Sequence, residues 1–315
     1  MKPGSCWSMV GSSSAVGLMG DFVRVHSSLD GPVLLSGEPG VGKDRIARLI
    51  HSGSLRRAHP FQVVDCSEFF SEELGAELFA CSHSAAGENV KPGILQESAG
   101  GTCYLARCEE MAPSIQTLLR EYIESCSRGE LRERGFSRLV FSSSRDIASF
   151  TRAGLFDRKL FDTFAGSQLV LDPLRKRRED LGALVRHFTA GSEAVFSPDA
   201  LEALSSYPWP GNHAELASEL SRLLRSVSGE IAAEHLSPRI ANFWLGGRQD
   251  PALRKVSRQL DECMEEFKVL NRLDGVFGDL LLTKNRPAEE AVDPGAKPSG
   301  SGYPDTEAVD PAGQR

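Results

Sequence analysis

The sequence lacks the long apolar runs that a membrane span or a secretion signal requires. No window approaches the run of about 18 uncharged apolar residues that crosses a bilayer. Residues 1–17 contain one Lys and no continuous apolar segment of the kind a signal peptide has. We therefore expect a protein of the cytoplasm that does not associate with membranes.

Cysteine patterning that would indicate a disulfide framework or a structural metal is also missing. The seven Cys are odd in number and form no CxxC pair, so neither a disulfide scaffold nor a zinc ribbon is indicated. Cys103 and Cys108 are close in sequence, but they have no second half-site. A reducing compartment and no cysteine-bound metal are the simple expectations.

The sequence also lacks an excess of basic residues. The 36 Lys and Arg are outnumbered by 43 Asp and Glu, for a net charge of −7, which argues against a dedicated nucleic-acid-binding protein. A length of 315 residues, with 40% hydrophobic and 25% charged residues, fits a soluble globular chain of two domains, or of one large domain with appendages.

Hydrophobic patterning predicts an α/β region over residues 8–172. Short apolar runs rich in β-forming residues recur there, and helical patterns separate most of them: PVLLS (32–36), FQVVD (61–65), TCYLA (102–106), RLVFS (138–142) and QLVLD (168–172). Strands joined by helical crossovers form parallel sheets covered on both faces. The pattern therefore predicts a three-layer α/β fold with a parallel sheet.

The remaining chain divides into three segments. Residues 173–245 have helical patterns and predict a small all-helical subdomain. Residues 246–284 carry apolar residues at heptad spacing, which fits a helix packed on the body of the protein or, alternatively, a helix for self-association or a partner. Residues 285–315 contain five Pro and four Gly, and we expect this tail to be disordered.

A glycine-rich motif follows the first predicted strand and precedes a predicted helix. It fits the phosphate-loop pattern, in which backbone N–H groups face phosphates and a Lys reaches the β and γ phosphates. Asp44 stands where Ser or Thr usually holds magnesium, and a carboxylate also suits that ion. The alternative is a strand-to-helix turn without a ligand. The candidate nucleotide-binding residues are Gly37, Glu38, Pro39, Gly40, Val41, Gly42, Lys43 and Asp44.

Hydrolysis of a nucleotide bound at a phosphate loop requires a second motif. This motif is an acidic pair at the end of another strand, which normally orients magnesium and activates water. The corresponding strand, residues 100–107, ends in Ala106 and Arg107. Glu109 and Glu110 follow closely, but the GGT before the strand and the EM after it fix the register. The acids are therefore replaced, not displaced, and the sequence assigns no catalytic residue.

These motifs and their order resemble the AAA+ domain of the sigma-54-dependent transcriptional activators, also called bacterial enhancer-binding proteins. The resemblance extends from about residue 10 to 240. It includes GEPGVGKDRIARLIH (37–51), ESAGGTCYLARCEEM (97–111), DPLRKRREDL (172–181) and SPDALEALSSYPWPGNHAEL (197–216). It implies the P-loop AAA+ fold with a helical lid, assembly into rings, and ATP-driven remodelling of RNA polymerase that carries sigma-54. In this family an acidic residue directly after the phosphate-loop lysine is normal, so the resemblance also accounts for Asp44.

The chain departs from this family at most of the family's working positions. The loop after ELFA, residues 81–93, contains no aromatic residue where GAFTGA is expected, and residues 251–284 match no helix-turn-helix pattern. Arg158 is one position away from an expected trans-acting arginine and could partly substitute for it. The other replacements are Ala106 and Arg107 for the Walker B acids, Ser144 for a sensor Asn, Asp157 and Thr163 for trans-acting arginines, and Ala214 for the lid arginine.

The resemblance and its departures together predict an ATP-binding, transcription-related AAA+ protein that hydrolyses little ATP and acts through protein contacts. Its expected ligands are ATP and, through Asp44, magnesium. Its expected partners are AAA+ protomers, either its own copies or an active relative, without the usual contact to sigma-54. The alternatives are a working ATP-dependent activator and a scaffold that binds no nucleotide.

Two further features have plain interpretations. The basic run at residues 175–178 is a candidate nucleic-acid patch, but the family linker has a PLRxRxxD stretch there, which favours a structural or nucleotide-adjacent role. His213 has no partner at ligand spacing, and we expect it to be an ordinary surface or packing residue.

Overall fold

The computed structural model describes residues 9–79, 92–129 and 135–249. These residues belong to one compact unit. The predicted tail, most of the predicted helical segment at 246–284 and most of the loop at 81–93 lie outside the described residues. In the part that is described, no helix is both long and apolar enough to cross a membrane.

The predicted α/β fold is confirmed: the centre of the molecule is a parallel sheet of five strands in the order β2-β3-β4-β1-β5. Each apolar run of the sequence forms one strand. The β3 strand pairs in register with β2 and β4, and β1 pairs with β4 and β5. The strands are β1 (Val33–Ser36), β2 (Phe61–Asp65), β3 (Thr102–Ala106), β4 (Arg138–Ser143) and β5 (Gln168–Val170).

Helices cover both faces of this sheet because strand side chains alternate between the faces. In β1, Leu34 packs into one apolar cluster, whereas Val33 and Leu35 pack into another on the opposite face. Ile115 of α5 lies in the first cluster and Ile50 of α2 in the second. The helices of this part are α1 (Ser14–Ser27), α2 (Lys43–Ser52), α3 (Ser71–Phe79), α4 (Ile94–Glu97), α5 (Pro113–Arg128), α6 (Ile147–Arg152) and α7 (Arg158–Asp162).

A helical lid with its own apolar core follows the sheet. Its centre is Trp209, whose exposed fraction is 2% and whose indole N–H donates to the Leu204 carbonyl at 2.9 Å. Tyr207 packs edge-on against the Trp209 ring, so the YPWP turn packs inside the lid as its apolar composition suggests. The helices are α8 (Leu181–Phe188), α9 (Pro198–Ser206), α10 (Asn212–Ser226) and α11 (Pro238–Gln249).

The lid differs in two details from the sequence pattern. It is helical apart from one short parallel pairing between β6 (Val195–Phe196) and β7 (Glu230–Ile231), which two-residue runs could not indicate. The last described helix, α11, continues past residue 245 and buries Trp244 against the lid core.

A buried carboxylate ties the segment before α1 to the lid. Asp180 accepts hydrogen bonds from the backbone N–H groups of Ser12 and Ser13 at 2.8 and 2.9 Å, and from the Ser13 hydroxyl at 2.6 Å. Ser13 also caps α1 by accepting from the Val16 N–H. This link fixes the segment at residues 9–13, of which Met9 and Val10 line the cavity described below.

Candidate functional site

The glycine-rich motif forms the turn from β1 into α2, as its pattern predicts. Gly40 and Gly42 have φ values of +74° and +97°, in the left-handed region that glycine adopts without strain. Gly42 is the N-cap of α2, and no described side chain caps the first turn of that helix. The free N–H groups and the helix dipole therefore favour an anion at this turn.

Lys43 spans the turn and points its ammonium across the loop. Its Nζ donates to the carbonyls of Gly37 at 2.5 Å and Glu38 at 3.0 Å, and to the Ser144 hydroxyl at 3.2 Å. Burial lowers the pKa of Lys43 from its ordinary value, although nearby acids oppose the shift. The ammonium is thus desolvated and held by weak neutral acceptors, an arrangement that favours an anionic ligand.

The lid holds the outer side of the loop through Glu38. Arg175 donates to both Glu38 carboxylate oxygens, at 2.7 and 2.5 Å, and Asn212 donates to the Pro39 carbonyl at 3.0 Å. The hydrogen bond from Arg175 lowers the pKa of Glu38 to about 2, in spite of its partial desolvation. The basic run at 175–178 therefore contacts the phosphate loop, in agreement with the nucleotide-adjacent interpretation.

His213 is a further contact from the lid, and no sequence pattern predicts it. Its Nδ1 lies 3.0 Å from the Val41 carbonyl, so this nitrogen carries the proton and donates. Its Nε2 then accepts from the guanidinium of Arg177 at 2.9 Å. Burial, with the charge of Arg177, lowers the pKa of His213 to about 4. His213 is thus a neutral hydrogen-bonding bridge between loop and lid, so of the two expected roles it has the packing one and not the surface one.

A cavity of about 530 Å³ lies between the loop, the strand ends and the lid. Lys43, Asp44 and Ser144 contribute polar side chains to its lining, and Val10 and Phe188 contribute apolar ones. Binding sites for small organic ligands combine such apolar walls with a few convergent polar groups. A cavity with this lining beside the glycine-rich loop fits an anionic organic ligand.

Ala106 and Arg107 lie at the edge of this cavity, where the sequence places them. Ala106 offers no polar side-chain atom. Arg107 has a left-handed φ of 55° and pairs with Asp65 of β2, which also lines the cavity. Neither position presents a carboxylate to the cavity.

Glu109 brings a carboxylate to this region from beyond the motif. It lies in the short 3-10 turn Cys108–Glu110 that follows β3. Its Oε1 accepts from the Ser144 backbone N–H at 2.9 Å, so it reaches the residue directly after β4 that also binds Lys43. The register of the strand-end motif is unchanged, with Ala106 and Arg107 at the expected acid positions. Sequence position alone could not show that the Glu109 side chain reaches Ser144.

The segment at 157–163 forms local contacts. Asp157 caps α7 by accepting from the Leu160 N–H at 2.7 Å, and Thr163 donates to the Leu160 carbonyl at 2.6 Å. Arg158 is exposed and pairs with Asp162 at 3.0 Å. These contacts all lie within one chain, whereas a trans-acting arginine acts on a neighbouring protomer. The partial substitution of Arg158 for such an arginine therefore stays a prediction.

Comparison with known proteins agrees with this architecture. The sigma-54 interaction domain matches residues 9–169, and the AAA+ ATPase lid domain matches residues 175–247. Transcriptional regulatory protein ZraR of Klebsiella oxytoca is 30% identical over 75% of this chain and 56% of its own length. Phenol regulator MopR of Acinetobacter guillouiae is 32% identical over 73% of this chain and 44% of its own length.

A solved structure of similar shape is that of NtrX from Brucella abortus in complex with ATP. It aligns with a TM-score of 0.64 at 25% identity and covers 75% of this chain and 55% of that one. The chain spans about half the length of the curated relatives it matches. The matched domains, their order and the five-stranded sheet place the chain in the sigma-54 activator family of AAA+ proteins.

Proposed function

We propose that this chain is a nucleotide-binding AAA+ module that holds ATP, hydrolyses little of it, and acts through contacts with other proteins. The observation that carries the proposal is the phosphate loop, in which a desolvated Lys43 faces the cavity beside an uncapped helix start. NtrX, of similar fold, has been crystallised with ADP and with ATP, which supports the same ligand class here. Asp44 is the carboxylate available for magnesium at this helix start.

Loss of turnover is inferred from the groups that chemistry at this site would need. A missing general base typically removes about 10²- to 10⁴-fold in rate, and a missing arginine finger about 10³- to 10⁵-fold. Ala106, Arg107 and Thr163 stand at the corresponding positions, and Ala214 removes the lid arginine. Binding depends instead on the loop and Lys43, which are intact, so the site is expected to be a pseudo-ATPase.

The proposed partners are other AAA+ protomers, either copies of this chain or an active relative, in the cytoplasm. The family implies ring assembly, in which a protomer without turnover can cap or regulate its neighbours. The sequence of the loop at 81–93, without an aromatic residue, supports a role other than the usual contact with sigma-54.

A working ATP-dependent activator is the second candidate, and one observation favours it. The carboxylate of Glu109 reaches the Ser144 amide, close to where an acid would be needed. In that case the missing acids would be supplied from outside the usual motif.

The deciding experiment measures ATP binding and steady-state turnover on one preparation, with and without magnesium. We expect binding with turnover at background. Lys43→Ala should weaken binding at least tenfold without changing turnover, whereas Arg57→Ala, which removes one exposed positive charge, should change neither. Turnover that Lys43→Ala abolishes would favour the activator, and absence of binding would favour a scaffold that binds no nucleotide.

A further inference from the structure

Ser144 connects Glu109 to the phosphate-loop lysine. The Ser144 backbone N–H donates to Glu109 Oε1 at 2.9 Å, and the Ser144 hydroxyl accepts from Lys43 Nζ at 3.2 Å. The residue directly after β4 therefore lies between a carboxylate and the ammonium that would hold phosphate. The arrangement joins the turn after β3 to the phosphate loop at the carboxyl edge of the sheet.

The second carboxylate oxygen of Glu109 is enclosed. Oε2 has essentially no contact with solvent, and no atom of the described residues forms a hydrogen bond with it. An enclosed carboxylate oxygen without a partner is costly, and its charge acts over a longer distance than it would in water. Glu109 is also the strongest of the acidic charges that favour the charged form of Lys43.

This negative charge has a consequence for the ligand. The lysine of a phosphate loop reaches the β and γ phosphates, so a terminal phosphate at Lys43 would also approach Ser144 and the field of Glu109. In related enzymes a strand-end Asp holds a metal ion whose positive charge offsets such repulsion, but this strand ends in Ala106. A diphosphate lacks the extra charge and would meet less repulsion.

We propose that Glu109 sets the nucleotide preference of this site, so that the site favours a nucleoside diphosphate over a metal-free triphosphate. The inference rests on the proposed nucleotide binding. Glu109 acts through its charge and through Ser144, and it is a positioning and selectivity residue that takes no part in bond cleavage. A purely structural cap on Ser144 would have no effect on the preference between the two nucleotides.

The test compares calorimetric Kd values for ADP and a non-hydrolysable ATP analogue, in EDTA and in magnesium, on the full chain. Glu109→Gln keeps an acceptor for the Ser144 amide and removes the charge. In EDTA we expect the ratio of triphosphate Kd to diphosphate Kd to fall about tenfold, with ADP affinity changed by less than about twofold. Glu110→Gln, at the exposed neighbouring position, should leave the ratio unchanged.

The outcomes separate this inference from the proposed function. An unchanged ratio of Kd values in Glu109→Gln overturns the inference, while nucleotide binding stands. A loss of triphosphate affinity in this variant that is seen only with magnesium also overturns the inference, because it would identify Glu109 as a metal ligand. A wild-type chain that binds neither nucleotide, while Glu109→Gln binds both, overturns the proposed function and with it the diphosphate preference of the wild-type site. Failure of both proteins to bind overturns both. If Glu109→Gln lacks the wild-type unfolding transition, Glu109→Ala takes its place.

Discussion

The guanidinium of Arg107 pairs with the carboxylate of Asp65 across the carboxyl ends of the adjacent strands β3 and β2. Its Nε donates to Oδ1 at 2.6 Å and its Nη2 donates to Oδ2. Burial raises the pKa of Asp65, but the hydrogen bonds from Arg107 and Ser67 outweigh it and lower the pKa overall. The basic residue at an expected acid position therefore has its own matched acid on the next strand.

This pairing predicts that the two missing acids cannot be restored alone. The double variant Ala106→Asp/Arg107→Glu would place carboxylates beside Asp65, and like charges on neighbouring strands repel. We expect the free energy of unfolding in urea to fall by about 1 kcal/mol. Adding Asp65→Asn should recover most of that loss.

The matched control is Arg57→Glu, which reverses one exposed charge and should change the free energy of unfolding by less than about 0.5 kcal/mol. Equal stability of the double variant with and without Asp65→Asn would show that Asp65 does not oppose restored acids. Turnover in the triple variant, measured in the same series, would indicate how much of the missing chemistry the two acids account for.

The sheet and the phosphate loop could be predicted because each has a local signal. Five apolar runs gave five strands, and the glycines of residues 37–42 lie in one continuous motif whose positive φ values only glycine adopts readily. The strand-end positions Ala106 and Arg107 followed from the same register. Such features depend on neighbours in sequence, which a single chain displays directly.

The contacts that shape the site from a distance could not be predicted. Glu109 stands outside the strand-end register, next to Glu110, and only the turn after β3 directs it to Ser144. His213 had no partner at ligand spacing, yet tertiary packing places it against Val41, far away in sequence. Hydrogen bonds formed after folding leave no periodicity or motif from which they could be derived.

Close packing between loop and lid predicts a specific cost at Gly40. A Cβ at this position would lie 2.3 Å from the Gly211 carbonyl oxygen and 3.0 Å from the Ala214 Cβ. Gly40→Ala should therefore lower the free energy of unfolding by about 2 to 4 kcal/mol, which combines left-handed strain with a backbone clash.

Gly166→Ala is the control, because Gly166 has the same φ of about +75° but nothing within 4 Å of an added Cβ. It should lose only the conformational part, about 1 kcal/mol. Equal losses in chemical denaturation of the two variants would mean that the lid does not contact the loop in solution.

The lid arginine is predicted to be restorable. Ala214 is exposed, lines the cavity and donates its N–H to the Gly40 carbonyl at 3.3 Å. An Arg there would add a positive charge beside the phosphates, and Ala214→Arg should tighten ATP binding about threefold to tenfold. Ser218→Arg, one turn later on α10 and exposed, adds the same charge away from the loop. Similar calorimetric gains in both variants would point to long-range attraction alone.

The lowered pKa of His213 predicts that this side chain makes the stability of the protein depend on pH. Because its folded pKa is about 4 and its ordinary value 6.5, the unfolded chain takes up a proton first as the pH falls. The stabilisation is thus complete above about pH 6.5 and is lost between that value and pH 4. Between pH 7.5 and 4.5, His213→Gln should lose about 2 kcal/mol less stability than the wild type. The exposed control His59→Gln should follow the wild-type curve in urea unfolding, and parallel curves for all three proteins would contradict a neutral His213 in the folded state.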